Sequence, residues 1–340
     1  MSCLRLTALN RGTAIGQWLL TAGLTLGFGL LAGGAIAQSV DAGWPVRSVR
    51  ILVPFPPGGA ADVFARTSGE RLAQAWKQPL VVENRPGAGG RIATQALLSS
   101  PADGYSLMVV TVGHAVNPSL YPSLPYNTLK DMRPVAMLAT VPNMLVINPA
   151  LPVRNVSELI ALARTRPGGV SYASSGNATT SHVAGALLAS AAGVNLLHVP
   201  YKGSAPALTD LISGQVDFMI DPVATAIPHV RSGKLRALAV SSSSRSSLAP
   251  ELPTIAESGV PGYDFSAWFM LIASSAIPQA VVDRIHADVQ SLMRDEGFVK
   301  SYADRGAVPG SGTPAELSRF LEREVGRFAD LVRATGMQAD

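Results

Sequence analysis

From Val49 onward short apolar runs alternate with longer stretches of helical periodicity, and that alternation confines the chain to an α/β architecture with a largely parallel sheet. The runs that read as strands are Val49 to Pro54, Leu80 to Glu83, Ser106 to Thr111, Met144 to Ile147, Val170 to Ala173, Leu196 to Val199, Val216 to Ile220 and Leu235 to Val240. Between them Ala61 to Trp76, Val156 to Arg166, Thr180 to Ala192, Ala205 to Ser213 and Ala224 to Ser232 carry helical patterns. The last third differs. Gln279 to Met293 and Pro314 to Ala334 are long amphipathic patterns joined through Gly306 to Thr313, without clear strand and helix alternation, and they predict a helical tail that packs back on an earlier lobe. Proline-bearing stretches at Val141-Pro142 and Pro261 to Ser266 mark the expected boundaries. The expected division is a first lobe built from 38–141 and 266–340 and a second from 142–265.

Ahead of this pattern, Arg5 and Arg11 precede an uncharged apolar stretch from Trp18 to Leu31, and Ala35-Ile36-Ala37 before Gln38 fits a small-residue cleavage signal. Residues 1–37 therefore read as a secretory signal peptide. A retained anchor is the rival, but the apolar run is shorter than the roughly 20 residues of a spanning helix and is interrupted by glycines. Removal of 37 of the 340 residues leaves 303, enough for two domains of ordinary size. The formal charge of +4 falls to +2 once Arg5 and Arg11 are gone. Basic residues are scattered and not interleaved with aromatics in runs, which argues against a nucleic-acid partner. Cys3 is the only cysteine. The mature chain would thus have no thiol, which excludes disulfides, thiolate metal sites and cysteine nucleophiles and suits an oxidising compartment.

Four loops rich in glycine, serine or proline follow predicted strands and open predicted helices: Pro54 to Asp62, Glu83 to Ala93, Tyr172 to His182 and Val199 to Ala207. Open α/β sheets bind ligands at such carboxyl-terminal strand ends. Glycine lets a ligand approach the backbone, and unpaired N–H groups at a helix start favour an anion. Any one of these loops is also ordinary turn chemistry; the recurrence is what points to a site. None carries the GK[ST] of a phosphate loop, and GAGGRIA is not GxGxxG, so a nucleotide is a poor candidate.

The chain contains no HExxH, GxSxG or SxxK, so the common hydrolase motifs are missing. Its five histidines, His114, His182, His198, His229 and His286, lack ligand spacing; no metal or other cofactor is called for, and each reads as a hydrogen-bonded structural residue. Asp62 and Asp221 are the carboxylates nearest the candidate loops. Asp62 falls in a first helical turn, where it complements the dipole. Asp221 ends an apolar strand before Pro222 and either caps the next helix or faces a ligand ammonium or hydroxyl. Trp268 and Phe269 are candidates for a cleft wall, although large aromatics ordinarily belong to the core.

Through these same residues the chain resembles the Bug receptors, the extracytoplasmic binding components related to tripartite tricarboxylate transporters. The shared motifs run from Trp44-Pro45 through VRILVPFPPGGAAD, VVENRPGAGG, NPSLY, YASSGN, HVPYKGSAPALTDLISGQVD, PHVRSGKLRALAV and VPGYDFSAWF, spanning nearly the whole mature chain. The resemblance implies a two-lobed periplasmic binding protein of the Venus-flytrap type, with the ligand held between lobes by backbone amides, hydroxyls and ordered water. By motif, the first lobe would contribute Phe55, Gly58, Gly59 and Asp62, and the second Ser174, Ser175, Gly176, Thr179 and Asp221. The family usually has glycine where this chain has Ala178 and Ala93, and each adds a methyl group near a close backbone approach.

The expected protein is a monomeric, non-enzymatic uptake receptor for a small carboxylate or related solute, served by a membrane permease. A sensory receptor that signals to a membrane-bound partner such as a sensor kinase is the alternative. A hydrolase on the same scaffold is a further one, disfavoured because no nucleophile and base pair is visible.

Overall fold

In the computed structural model of the protein, residues 43–121, 123–166 and 169–338 are described. The leader read at 1–37 lies outside them. β1 (Val49–Val53) has the sequence VRILV, an apolar run that is buried on both faces, as suits a strand inside a parallel sheet. It pairs in parallel with β2 (Leu80–Asn84) and β3 (Ser106–Val110), with α1 (Ala60–Trp76) and α2 (Arg91–Leu98) as crossovers. After α3 (Val112–Leu120) comes β4 (Met132–Ile147), 16 residues long. The chain then runs α4 (Val156–Thr165), β5 (Ser171–Ser174), α5 (Thr180–Ala192), β6 (Leu197–Pro200), α6 (Ser204–Ser213), β7 (Phe218–Pro222), α7 (Val223–Arg231) and β8 (Arg236–Val240). It ends with β9 (Ser266–Ser274), α8 (Gln279–Leu292), α9 (Glu296–Ala303), β10 (Val308–Pro309) and α10 (Pro314–Thr335).

The strands order β2-β1-β3-β9-β4-β7-β5-β6, with β8 and β10 also pairing β4. β4 joins two sets of partners. From Met132 to Pro142 it lies antiparallel to β9, and from Asn143 to Ile147 antiparallel to β7. The change of partner falls between Pro142 and Asn143. Ser241, just past β8, stitches this point: its hydroxyl accepts from Asn143 N–H, and the backbone of Phe265 donates to its carbonyl.

The alternation of side chains along β1 sends Ile51 and Val53 into one core and Leu52 into another. Phe64 and Leu72 of α1, Val282 of α8 and Phe298 and Tyr302 of α9 and its end fill the first; Leu97 of α2, Val116 of α3 and Leu321 and Phe328 of α10 belong to the second. Burying Tyr302 leaves its hydroxyl in need of a partner, which Ser68 supplies at 2.8 Å. α10 starts sharply because Thr313 and Glu316 form a capping box with Pro314 in the first turn.

The expectation of a helical tail without strands needs correction. β9, SAWFMLIAS, inserts between β3 and β4, and all but its end residues are buried. β4 begins twelve residues before the predicted Met144, because Pro134 falls at a register irregularity and Pro142 at the partner switch, the positions where a strand tolerates proline. The helix expected after the Glu83 to Ala93 loop is α2, whereas α3 and α9 differ from the expectation; α3 contains Gly113 and Pro118, which obscure its periodicity.

Candidate functional site

A cavity of about 480 Å³ lies where five strand-to-helix joins meet. Its walls are Phe55 to Ala61 before and within α1, Thr111 before α3, Ser175, Thr179 and Thr180 at α5, Lys202 to Pro206 at α6, and Asp221, Pro222, Ala224 and Thr225 at β7 and α7, with Leu208, His229 and Phe269. The first N–H groups of any α-helix have no acceptor within it. Several helix starts around one cavity therefore surround it with N–H donors and positive dipole ends.

At α1, Gly59 is the N-cap in extended conformation, and Gly58 has φ 85°, which favours glycine. The Gly58 N–H donates to Asp62 Oδ2 at 3.0 Å, while Arg66 and Asn84 donate to Asp62 Oδ1 at 3.0 and 2.9 Å. Burial opposes ionisation of Asp62, but these hydrogen bonds together outweigh it and hold the carboxyl below its usual range. Asp62 is thus a buried brace for the loop and does not line the cavity. The carboxylate also occupies the Gly58 amide, which leaves Gly59 and the first turn of α1 to face a ligand.

At α5, Gly176 has φ 125°, and a Cβ there would come within 3.2 Å of Tyr201 O. The Thr179 hydroxyl donates to Gly176 O at 2.6 Å, and Ser175 N–H donates to Ser181 Oγ at 2.9 Å. Ser174 is fully buried, with its hydroxyl 2.6 Å from His198 Nε2 and accepting from Gly176 N–H at 3.2 Å. Of the residues expected here, Ser175 and Thr179 line the cavity; Ser174 and Gly176 shape the loop behind it.

Asp221 lines the cavity although it is fully buried as a residue. Ser204 donates to its Oδ1 at 3.1 Å and Thr225 to its Oδ2. Burial pushes its carboxyl up to about 6, against these two hydrogen bonds, which pull it down. Of the two roles the sequence left open, Asp221 does not cap α7, whose N-cap is Pro222 without a side-chain cap; its carboxylate faces the cavity and ties α6 to α7 through the Ser204 and Thr225 hydroxyls.

Sequence reasoning missed Thr111, Lys202, Ser204, Thr225 and His229. Lys202 and Ser204 sit in the glycine-rich loop after β6, and Thr225 and His229 follow Asp221 at four-residue intervals along α7, so helical spacing was the available signal. The Glu83 to Ala93 loop does not line the cavity. Asn117 donates to Gly89 O at 2.8 Å, and Gly90 packs against Pro54, so this loop backs the one after β1. Ala93 is core in α2, whereas Ala178 adopts φ 59° as a glycine would. Phe269 reaches the cavity; Trp268 points the other way, donating to Glu324 at 3.0 Å. Among the described residues no cluster of three His, Cys, Asp or Glu side chains fits a metal ion, and no helix is long and apolar enough to cross a membrane.

An open α/β fold with a cavity at its strand-to-helix joins defines a class of ligand-binding α/β proteins, and the comparisons narrow that class. The chain belongs to the tripartite tricarboxylate transporter family of receptors, whose sequence profile matches residues 64–337. It is 39% identical over 307 residues to protein BugT of Bordetella pertussis, covering 90% of this chain and 94% of that one. Among solved structures it resembles Rpa4515 of R. palustris with adipate, with a TM-score of 0.83, 36% identity and 87% and 99% of the two chains covered. It also resembles the periplasmic binding protein BugD, with a TM-score of 0.80, 33% identity and 87% and 100% covered. The expected α/β binding-protein fold and family are therefore those of this chain, although the sheet is mixed and not largely parallel, because β4 and β9 run antiparallel to their neighbours.

Proposed function

We propose that this receptor works in the periplasm, after loss of residues 1–37, capturing a small carboxylate in the cavity for delivery to a membrane permease. The observation that carries this is the convergence of helix starts: Gly59 to Ala61 of α1, Thr179 and Thr180 of α5, and Gly203 to Ala205 of α6 line one cavity. Fixed N–H donors and aligned dipoles hold an anion without needing a basic side chain against each oxygen. Lys202 on the same wall adds to the favourable field. The adipate carried by the related Rpa4515 supports the same ligand class.

Capture proceeds by closure of two lobes, 38–141 with 266–340 against 142–265. The change of partners along β4 at Pro142 supports that division, since a strand shared by two sheet segments is where one can swing on the other. Ligand binding favours the closed state because both lobes then contact it. Asp221 selects among acids: ionised, it accepts from a ligand hydroxyl or ammonium, and protonated it donates. Mass spectrometry of solute released on unfolding freshly purified protein tests the reading. A small carboxylic acid in stoichiometric amount is expected; an uncharged or purely cationic solute contradicts it.

A further inference from the structure

Behind the ligand loop, on the side away from the cavity, the rings of His182 and His198 stack with centroids 3.7 Å apart and planes 6° from parallel. Neither ring lines the ligand cavity; both line a second, open hollow on the other side. Tyr172 stacks on His198 at 4.9 Å and on Phe218 at 5.7 Å, so a column of rings runs from β7 to α5. Gly185 makes room for it, since a Cβ there would sit 2.2 Å from the Tyr172 ring.

We propose that this histidine pair positions the ligand loop, with His182 holding Ala178 in a backbone conformation that glycine adopts unaided and His198 holding Ser174 at the start of the same loop. The inference rests on the reading that loop 174–179 contacts the ligand. Ala178 N–H donates to His182 Nδ1 at 3.2 Å, and Ser174 Oγ lies 2.6 Å from His198 Nε2. The loop is thus tied at both ends to one rigid stack. The conformation at stake is costly: Ala178 is buried with φ 59°, a region in which a Cβ clashes with the following carbonyl. Its carbonyl is also confined, because a Cβ on Gly113 would come within 2.8 Å of Ala178 O. A displaced Ala178 would shift Thr179, the N-cap of α5, and with it the N–H groups that face the cavity.

The tautomer follows from the bond. His182 Nδ1 accepts, so its proton resides on Nε2. Burial first and the neighbouring His198 second push the His182 pKa down to about 3, so the support stays neutral throughout the range in which the protein works. His182 is a fixed brace and not a proton switch.

Four single variants separate the hydrogen bonds from the ring volume. His182→Asn places an amide oxygen where Nδ1 accepts, and His198→Gln places an amide where Nε2 bonds; His182→Leu and His198→Leu keep bulk and lose the bond. Calorimetric titration with adipate, succinate and citrate reads affinity, and hydrogen exchange of the Ala178 and Gly176 amides reads the loop directly. The leucine variants are expected to lose about tenfold or more in affinity and to lose amide protection, and the Asn and Gln variants to restore most of both. Adding Ala178→Gly to His182→Leu is expected to recover affinity, since glycine needs no clamp at that φ. Leucine variants that bind like wild type with full amide protection overturn the proposal, as does a double variant no better than His182→Leu. If wild type binds none of the three acids, the carboxylate reading fails for these ligands, and amide protection alone decides the role of the pair.

Discussion

The Ser204 hydroxyl donates a 3.1 Å hydrogen bond to the Asp221 carboxylate, tying the start of α6 to the end of β7 inside the ligand cavity. The same carboxylate is wholly buried, and burial raises its pKa from 3.8 to about 6. A carboxyl raised by folding contributes stability that is fully present below pH 3.8 and lost as the pH rises through about 6. Asp221→Asn is neutral at every pH. Relative to wild type without ligand, the variant should therefore gain up to about 3 kcal/mol between pH 4 and pH 7. Urea denaturation of both proteins at the two pH values checks this; an unchanged difference contradicts the assignment.

The opposite pH dependence is expected at Asp62. Its carboxylate collects donors from Gly58, Arg66 and Asn84 and titrates below the ordinary range. Its contribution is present above the unfolded pKa and lost as the pH falls through the lowered folded value. Asp62→Ala should cost about 1 to 3 kcal/mol at pH 7, with the gap to wild type narrowing in acid. Thermal unfolding across that range measures it.

Gly59 separates folding from binding. Its φ of −76° suits any residue, and an added Cβ meets only Pro56 O at 3.9 Å. Gly59→Ala should change stability by about 1 kcal/mol or less while reducing affinity about tenfold or more, because the methyl group stands where the ligand approaches the backbone. Titration of the folded variant with the solute recovered from wild type tests this, and undiminished affinity would remove Gly59 from the site.

Much of this arrangement was legible in the sequence because glycine and serine between an apolar run and a helical pattern mark a helix start, wherever the chain then goes. PFPPGGAAD, YASSGNATTSH and VPYKGSAPA all reach the cavity. What the pattern could not reveal is the direction of individual side chains. Asp62 and Ser174 lie within those motifs yet turn away to Gly58 and His198, and the equally glycine-rich Glu83 to Ala93 loop packs behind Pro54. Thr111 and His229 come from elements with no loop signature of their own. β9 escaped because a buried nine-residue apolar run lacks alternation and follows an irregular stretch.

The leader makes a separate prediction. Protein recovered from a Gram-negative periplasm should begin at Gln38, since Ala35 and Ala37 meet the small-residue requirement for cleavage. N-terminal sequencing decides it, and an intact Met1 on membrane-bound material contradicts it.

A thermal-shift series in which acids are paired with their uncharged amides reads out whether helix-start amides at α1, α5 and α6 grip an anion. Wild-type protein at about 100 times the dissociation constant of a bound acid should gain about 2.7 kcal/mol, a rise in melting temperature of roughly 5 °C, while the matching amide gives little or none. Amides that stabilise the protein as strongly as their acids would contradict the account.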